Sequence, residues 1–300
     1  MKFWIKGLLV LGAIAISHLL PSDLAQLVVA GLLIMGLGIP HGATDHVIYN
    51  VIENKKVDST TTLAFLGQYL GIIGLYFVLW YFFPLFSLAL FIGISAYHFG
   101  ETQFEYLGFT SILTRLLYVS WGLLILAILL GVHLNEVTAL LEPLTGYPAL
   151  YEWLAKYQIP LILSLFSITL FSLFFNRRVS RDTTFLLKEV GELLILTILF
   201  LNSSLLIGFA IFFAFWHSRD AVMIQIREFR ALRPAFSLSE FVKLALPFTL
   251  LSTFGIALLL ILFNYFTTPI PEVTLFFVMI SLLTMPHMFI IARFYRLDSR

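Results

Sequence analysis

The chain of 300 residues is 60% hydrophobic and 12% charged, with a mean hydropathy of +0.98; a soluble domain is nearer half apolar and a quarter charged, so this is a polytopic membrane protein. A net charge of +1 implies no polyanionic partner and gives nucleic-acid binding no support. The lack of cysteine excludes disulfides, thiolate metal sites, iron–sulfur clusters and cysteine nucleophiles.

The first apolar run, behind Lys2 and Lys6, has the outline of a signal peptide. Ser17-His18-Leu19-Leu20-Pro21 is a poor cleavage site, however, and the run reads as a retained first helix. A spanning helix needs about 20 mostly apolar residues. Ten segments qualify: 3–20, 24–44, 62–82, 85–106, 111–133, 158–175, 186–202, 204–226, 241–264 and 271–293. Turn-forming or polar residues separate them: Pro21-Ser22-Asp23, Glu53 to Thr61, Pro84, Phe109-Thr110, Asn176 to Asp182, Asn202-Ser203-Ser204 and Thr267 to Pro271. The stretch 134–157 is the longest connection, with room for a short interfacial helix. The expected fold is an all-α, polytopic transmembrane bundle of about ten helices, or eight if 3–20 or 186–202 does not span. No repeat breaks it, and 1–300 reads as one domain.

Lysine and arginine orient such a bundle. With ten alternating spans, all but two of the Lys and Arg residues collect on one side. Lys156 falls on the other, and Arg219 belongs inside its helix. Both termini are therefore expected in the cytoplasm, and the chain in the inner membrane of the cell.

Histidines stand inside these apolar segments, where a polar group is costly and usually functional. His41 lies in Pro40-His41-Gly42-Ala43-Thr44-Asp45-His46, His98 in Tyr97-His98-Phe99-Gly100-Glu101, His217 in Trp216-His217-Ser218-Arg219-Asp220, and His287 in Met285-Pro286-His287-Met288. Their four helices all run from outside to inside. At about 1.5 Å per residue the four histidines fall within roughly 6 Å of one depth, in the cytoplasmic half. His18 and His133 lie about 20 Å away at the outer ends of their helices by the same rise. His46, five positions beyond His41, points about 140° away around the helix, which disfavours it as a ligand.

Neutral imidazole ligates zinc, copper, iron and nickel. Four imidazoles on one divalent ion leave net positive charge, which nearby carboxylates would offset. Asp45 follows His41 by four residues, Glu101 follows His98 by three, and Asp220 follows His217 by three, spacings that share a helix face. Such carboxylates commonly accept the second ring N–H of a ligating histidine and so orient it. Asp45, Glu101 and Asp220 are the orienting candidates, and Glu192 joins them by depth. Pairing of Asp45 or Asp220 with Arg219 or with helix ends is the competing reading. Gly36, Gly38, Gly42, Gly93 and Gly100 flank the motifs and would permit close helix approach.

Gly38-Ile39-Pro40-His41-Gly42-Ala43-Thr44-Asp45-His46, Tyr97-His98-Phe99-Gly100-Glu101, Trp216-His217-Ser218-Arg219 and Pro286-His287-Met288 followed by Arg293 and Tyr295 together resemble the Brp/Blh family of bacterial and archaeal membrane β-carotene 15,15′-dioxygenases. The resemblance runs from the second predicted helix to the last. It implies cleavage of β-carotene at its central double bond to two all-trans-retinal, with O₂ and one non-haem, mononuclear Fe²⁺. It carries the metal role to His41, His98, His217 and His287, and it implies as partners β-carotene, O₂, membrane lipid and a rhodopsin that receives the retinal. One departure stands out: many members carry a further histidine four residues after the one in Trp-His-Ser, and here that position is Ala221, next to Asp220.

Rival readings remain open at this level. A membrane di-iron hydroxylase or desaturase acting on an apolar lipid needs more histidines, clustered in boxes, than the seven spread along this chain. A haem carrier would place paired ligands at two depths. A transporter with buried proton relays would need an aqueous path and commonly an inverted repeat. An opsin needs a mid-helix lysine, and every lysine here sits at a helix end or in a loop.

Overall fold

Each of the ten predicted segments is helical. The structure, a computed structural model, describes residues 1, 3–20, 22–53, 59–108, 111–176, 183–265 and 271–298. Loop charges at Lys2, Lys55, Lys56, Arg177, Arg178, Arg181 and Arg300 lie outside the described residues, as do the predicted breaks at 109–110 and most of those at 53–61, 176–182 and 267–271.

Helix α1 is Phe3–Leu19 and α2 Asp23–Leu33. From α2 the rod continues through a π-helical stretch, Ile34–Gly38, and a 3₁₀ turn, Ile39–His41, into α3, Asp45–Ile52. Then come α4 (Ser59–Phe82), α5 (Pro84–Gln103), α6 (Ile112–Val132), α7 (Leu134–Thr145), α8 (Pro148–Phe175) and α9 (Thr183–Asn202). A second broken rod follows: α10 (Leu205–Ile211), π-helical Phe212–Ser218 and α11 (Arg219–Leu232). Helices α12 (Leu238–Tyr265) and α13 (Glu272–Asp298) end the chain. Helix starts follow local chemistry. Ser22 and Ser111 accept backbone N–H groups as N-caps of α2 and α6, and Pro84 and Pro148 occupy the first turns of α5 and α8.

By length and apolarity, seven rods among the described residues can cross a membrane: α2–α3, α4, α6, α8, α10–α11, α12 and α13. Helix α1 is apolar but shorter. The connection predicted over 134–157 is largely helix: α7 turns its Val137 and Leu141 inward and ends at Gly146, whose φ of +69° and N–H bond to the Glu142 carbonyl make a left-handed C-cap. Helix α8 starts ten positions earlier than predicted because Glu152 and Lys156 lie four apart on one helix face, a spacing that supports a helix which the raw polarity hides.

Burial sorts the rods into an outer and an inner set. Helices α4, α8 and α12 are less than a fifth buried, while α6, α10–α11 and α13 are more than half buried. Exposed leucine and phenylalanine over whole helices is the surface that a lipid solvent requires. Inside, α5 and α6 approach until a Cβ on Gly100 or Gly122 would run into the facing backbone of Tyr118 or Ala96.

Candidate metal centre

Two π-helical stretches bring the first pair of histidines in. Ile34–Gly38 and Phe212–Ser218 pack on each other, and Gly38 is what lets them: a Cβ there would stand 2.6 Å from the Phe213 ring. Pro40 then removes a backbone donor and Gly42 caps the 3₁₀ turn, so the chain changes direction at His41. Gly42 in turn lies under the His287 ring, with a Cβ placed 3.2 Å from its Nδ1. Of the five glycines flagged from sequence, Gly38, Gly42 and Gly100 mark close approaches; Gly36 and Gly93 face open space. π-turns are rare and concentrate at functional sites.

His41, His98, His217 and His287 meet. Their ring centroids form a closed square: His41–His217 5.1 Å, His217–His98 4.8 Å, His98–His287 5.3 Å and His287–His41 4.7 Å. All four are buried. Nitrogen atoms of His41, His98 and His217 all lie within 4.8 Å of one another; the His287 ring packs edge-on against those of His41 and His98. Both ring nitrogens of His98 and of His217, and Nε2 of His287, are buried with no hydrogen-bond partner among the described residues. Buried imidazole nitrogens are normally satisfied. Orphaned nitrogens on three neighbouring imidazoles fit a cation that takes one lone pair from each ring. Two more are held: His41 Nδ1–H donates to the Gly38 carbonyl, and His287 Nδ1–H to Asp45 at 2.9 Å. Each thereby presents Nε2.

The carboxylates are arranged differently from their sequence spacing. Asp45 does not touch His41, its expected partner; it holds His287 on α13. The spacing argument assumed a continuous helix, whereas a turn at residues 42–44 separates the two. Buried Glu101 accepts a hydrogen bond from Tyr97 Oη at 3.2 Å rather than from His98. Asp220 pairs with the neighbouring Arg219, as the competing reading allowed, and both are more than a third exposed. It lines, with His217, a cavity of about 10 Å³. Glu192 belongs to a separate cluster with Lys6 and Trp216. His46 turns away, its ring 4.3 Å from that of Phe248. His133 bonds Glu136 and the Phe200 carbonyl, and His18 is exposed.

Several supporting residues escape sequence reasoning. Gln225 donates to the His41 carbonyl and accepts from Thr44 Oγ1, both at 2.9 Å; a polar residue on amphipathic α11 looks like part of a solvated face. Tyr69 donates to the Leu283 carbonyl at 3.0 Å and approaches Asp45 at 3.4 Å. Tyr69 also lines a cavity of about 480 Å³ that reaches His41, Asp45 and His287 and is walled mostly by apolar side chains such as Phe213, Leu251, Ile256 and Met279. That volume lies within the usual range for a small-molecule site. Its outer wall belongs to α4 and α12, the two least buried spans.

A family model described as "Beta-carotene 15,15'-dioxygenase" matches residues 32–295. A curated relative of that description from Uncultured marine bacterium 66A03 is 33% identical over 122 residues, which are 40% of this chain and 43% of the relative. No solved structure matches.

Proposed function

This chain belongs to the beta-carotene 15,15'-dioxygenase family, and from that premise we propose that it cleaves β-carotene at its central 15,15′ double bond with O₂, giving two all-trans-retinal. The relative's printed name supports the substrate. The single observation that carries the chemistry is the buried square of four imidazoles with orphaned nitrogens at one end of an apolar cavity.

His41, His98, His217 and His287 would hold one Fe²⁺. Four neutral imidazoles suit iron as they suit zinc, copper and nickel, and oxygen chemistry, which the family description implies, favours iron among them. Bound there, ferrous iron would supply the activation of dioxygen that carbon chemistry alone lacks. The protein's residues do the rest. Asp45 fixes the tautomer and tilt of His287 and adds a negative charge that offsets the cation. The Gly38 carbonyl does the first of these for His41. Apolar walls exclude water and admit a polyene from the lipid between α4 and α12. They hold one double bond beside the histidines, and such positioning supplies much of the rate. The loop charges support a site in the cytoplasmic half of an inner-membrane protein.

The rival centres fit less well. His18, His46 and His133 lie outside the cluster, so a second iron would lack imidazoles. Rings packed at 4.7 to 5.3 Å leave no gap between them for a porphyrin.

Expression in a β-carotene-accumulating host tests the activity: colour should fade and retinal appear. Metal analysis should give one iron per chain and no Soret band. Retained colour with normal protein levels overturns the activity, and two irons or a haem spectrum overturns the centre.

A further inference from the structure

Lys6 and Glu192 form an ion pair at 2.6 Å with side chains only 6% and 3% exposed. Charges taken so far from water are expensive and are weak evidence of stabilisation, which makes their purpose worth asking. The same carboxylate uses its second oxygen to accept the Trp216 indole N–H at 2.9 Å, and the Lys6 ammonium lies 5.1 Å from the centre of the Trp216 ring. Three elements meet in this cluster: α1, α9 and the π-helical stretch that carries His217.

His217 needs support from somewhere. Asp45 anchors His287 and the Gly38 carbonyl anchors His41, but neither nitrogen of His217 has a hydrogen bond among the described residues. Besides the other imidazoles, its ring packs against Phe99 at 4.8 Å and Phe213 at 5.4 Å between centroids. Trp216 is the adjacent residue. Neighbouring side chains on a helix leave the axis in different directions, so a residue clamped on one side fixes the rotation of the next one toward the cluster. Resting on the metal reading above, we propose that Lys6 is a positioning residue for the histidine centre: through Glu192 it clamps Trp216 and thereby sets His217. Helix α1, which precedes residue 32 where the family match begins, is then a working part of the site.

The test uses full-length protein in detergent, titrated with Co²⁺ as a spectroscopic stand-in for Fe²⁺, with the apo-protein's melting followed separately. Trp216→Phe keeps an aromatic ring but loses the N–H. It should weaken Co²⁺ binding by about 10-fold or more, the usual effect of losing support to a metal ligand, and shift the cobalt d–d bands. Lys6→Met should do the same, and Lys6→Arg should keep wild-type binding. Lys6→Met/Glu192→Gln should regain affinity over Lys6→Met, because the amide that replaces the carboxylate carries no unpaired charge and still accepts the indole N–H. If Lys6→Met does not fold, Trp216→Phe decides alone: wild-type affinity and bands in that variant overturn the inference while leaving the metal reading standing. A wild-type protein that takes up no Co²⁺ overturns both.

Discussion

Asp45 and His287 are 242 positions apart in sequence, and the two carboxylate oxygens lie 2.9 and 3.0 Å from the same imidazole nitrogen. Both groups are buried. An aspartate that holds a histidine by Nδ1 leaves Nε2 aimed away from the acid, which is the usual arrangement around a protein-bound metal.

Asp45→Ala should therefore lower metal affinity about 10- to 100-fold while the four ligands remain. Retinal formation should be low in ordinary medium and partly restored by added Fe²⁺. Glu101→Ala should give a milder loss, because Glu101 bonds Tyr97 rather than a histidine. Iron per chain and retinal yield across an Fe²⁺ series check both. Full iron content in Asp45→Ala would remove the orienting role.

Alanine at His41, His98, His217 or His287 should abolish retinal formation, and each variant should bind iron more weakly than Asp45→Ala. His18→Ala and His133→Ala should keep activity. His133→Ala should still cost about 1 kcal/mol of stability, since it drops a hydrogen bond to the Phe200 carbonyl. Retinal yield normalised to protein level separates the two groups. A well-expressed His217→Ala variant with normal yield would sink the four-histidine centre.

Gly255 lines the large cavity, and a Cβ placed on it meets nothing within 4 Å. Gly255→Phe should fold, fill part of the substrate space and raise KM at least several-fold, with iron content unchanged. A variant that loses iron and activity together would mean that the cavity belongs to the metal site's packing and not to substrate.

Both termini should face the cytoplasm, with α7 on the opposite side. A reporter fused after Arg300 that works only in the cytoplasm, and a tag at the α7–α8 junction accessible only from outside, are the expected results. The reverse pattern would invert the bundle and the placement of the site with it.

The convergence of the four histidines was legible because depth in a membrane depends only on counting residues from a loop, and the loops announce themselves by charge. Direction around each helix axis was not legible. The turn at residues 42–44 is invisible to a 3.6-residue periodicity, so the spacing points Asp45 at His41 when it serves His287. Lys6 shows a different limit: in sequence it reads as a loop charge, yet it lies buried against Glu192. A lysine near a chain end looks the same in sequence whether it meets water or a carboxylate. Tyr69 and Gln225 show no pattern at all, because their roles depend on which helices become neighbours.

The π-turns at Ile34–Gly38 and Phe212–Ser218 also bear on how such a chain can change over evolutionary time. Removing a single residue from either stretch would relax it toward an ordinary α-helix, but everything beyond would turn by about 100°. His41 or His217 would then swing out of the square while hydropathy, span length and topology all stayed the same. Point substitutions elsewhere in these two rods should be common, and one-residue length changes between the loop and the histidine should be purged, even though a lipid-facing helix would otherwise absorb them.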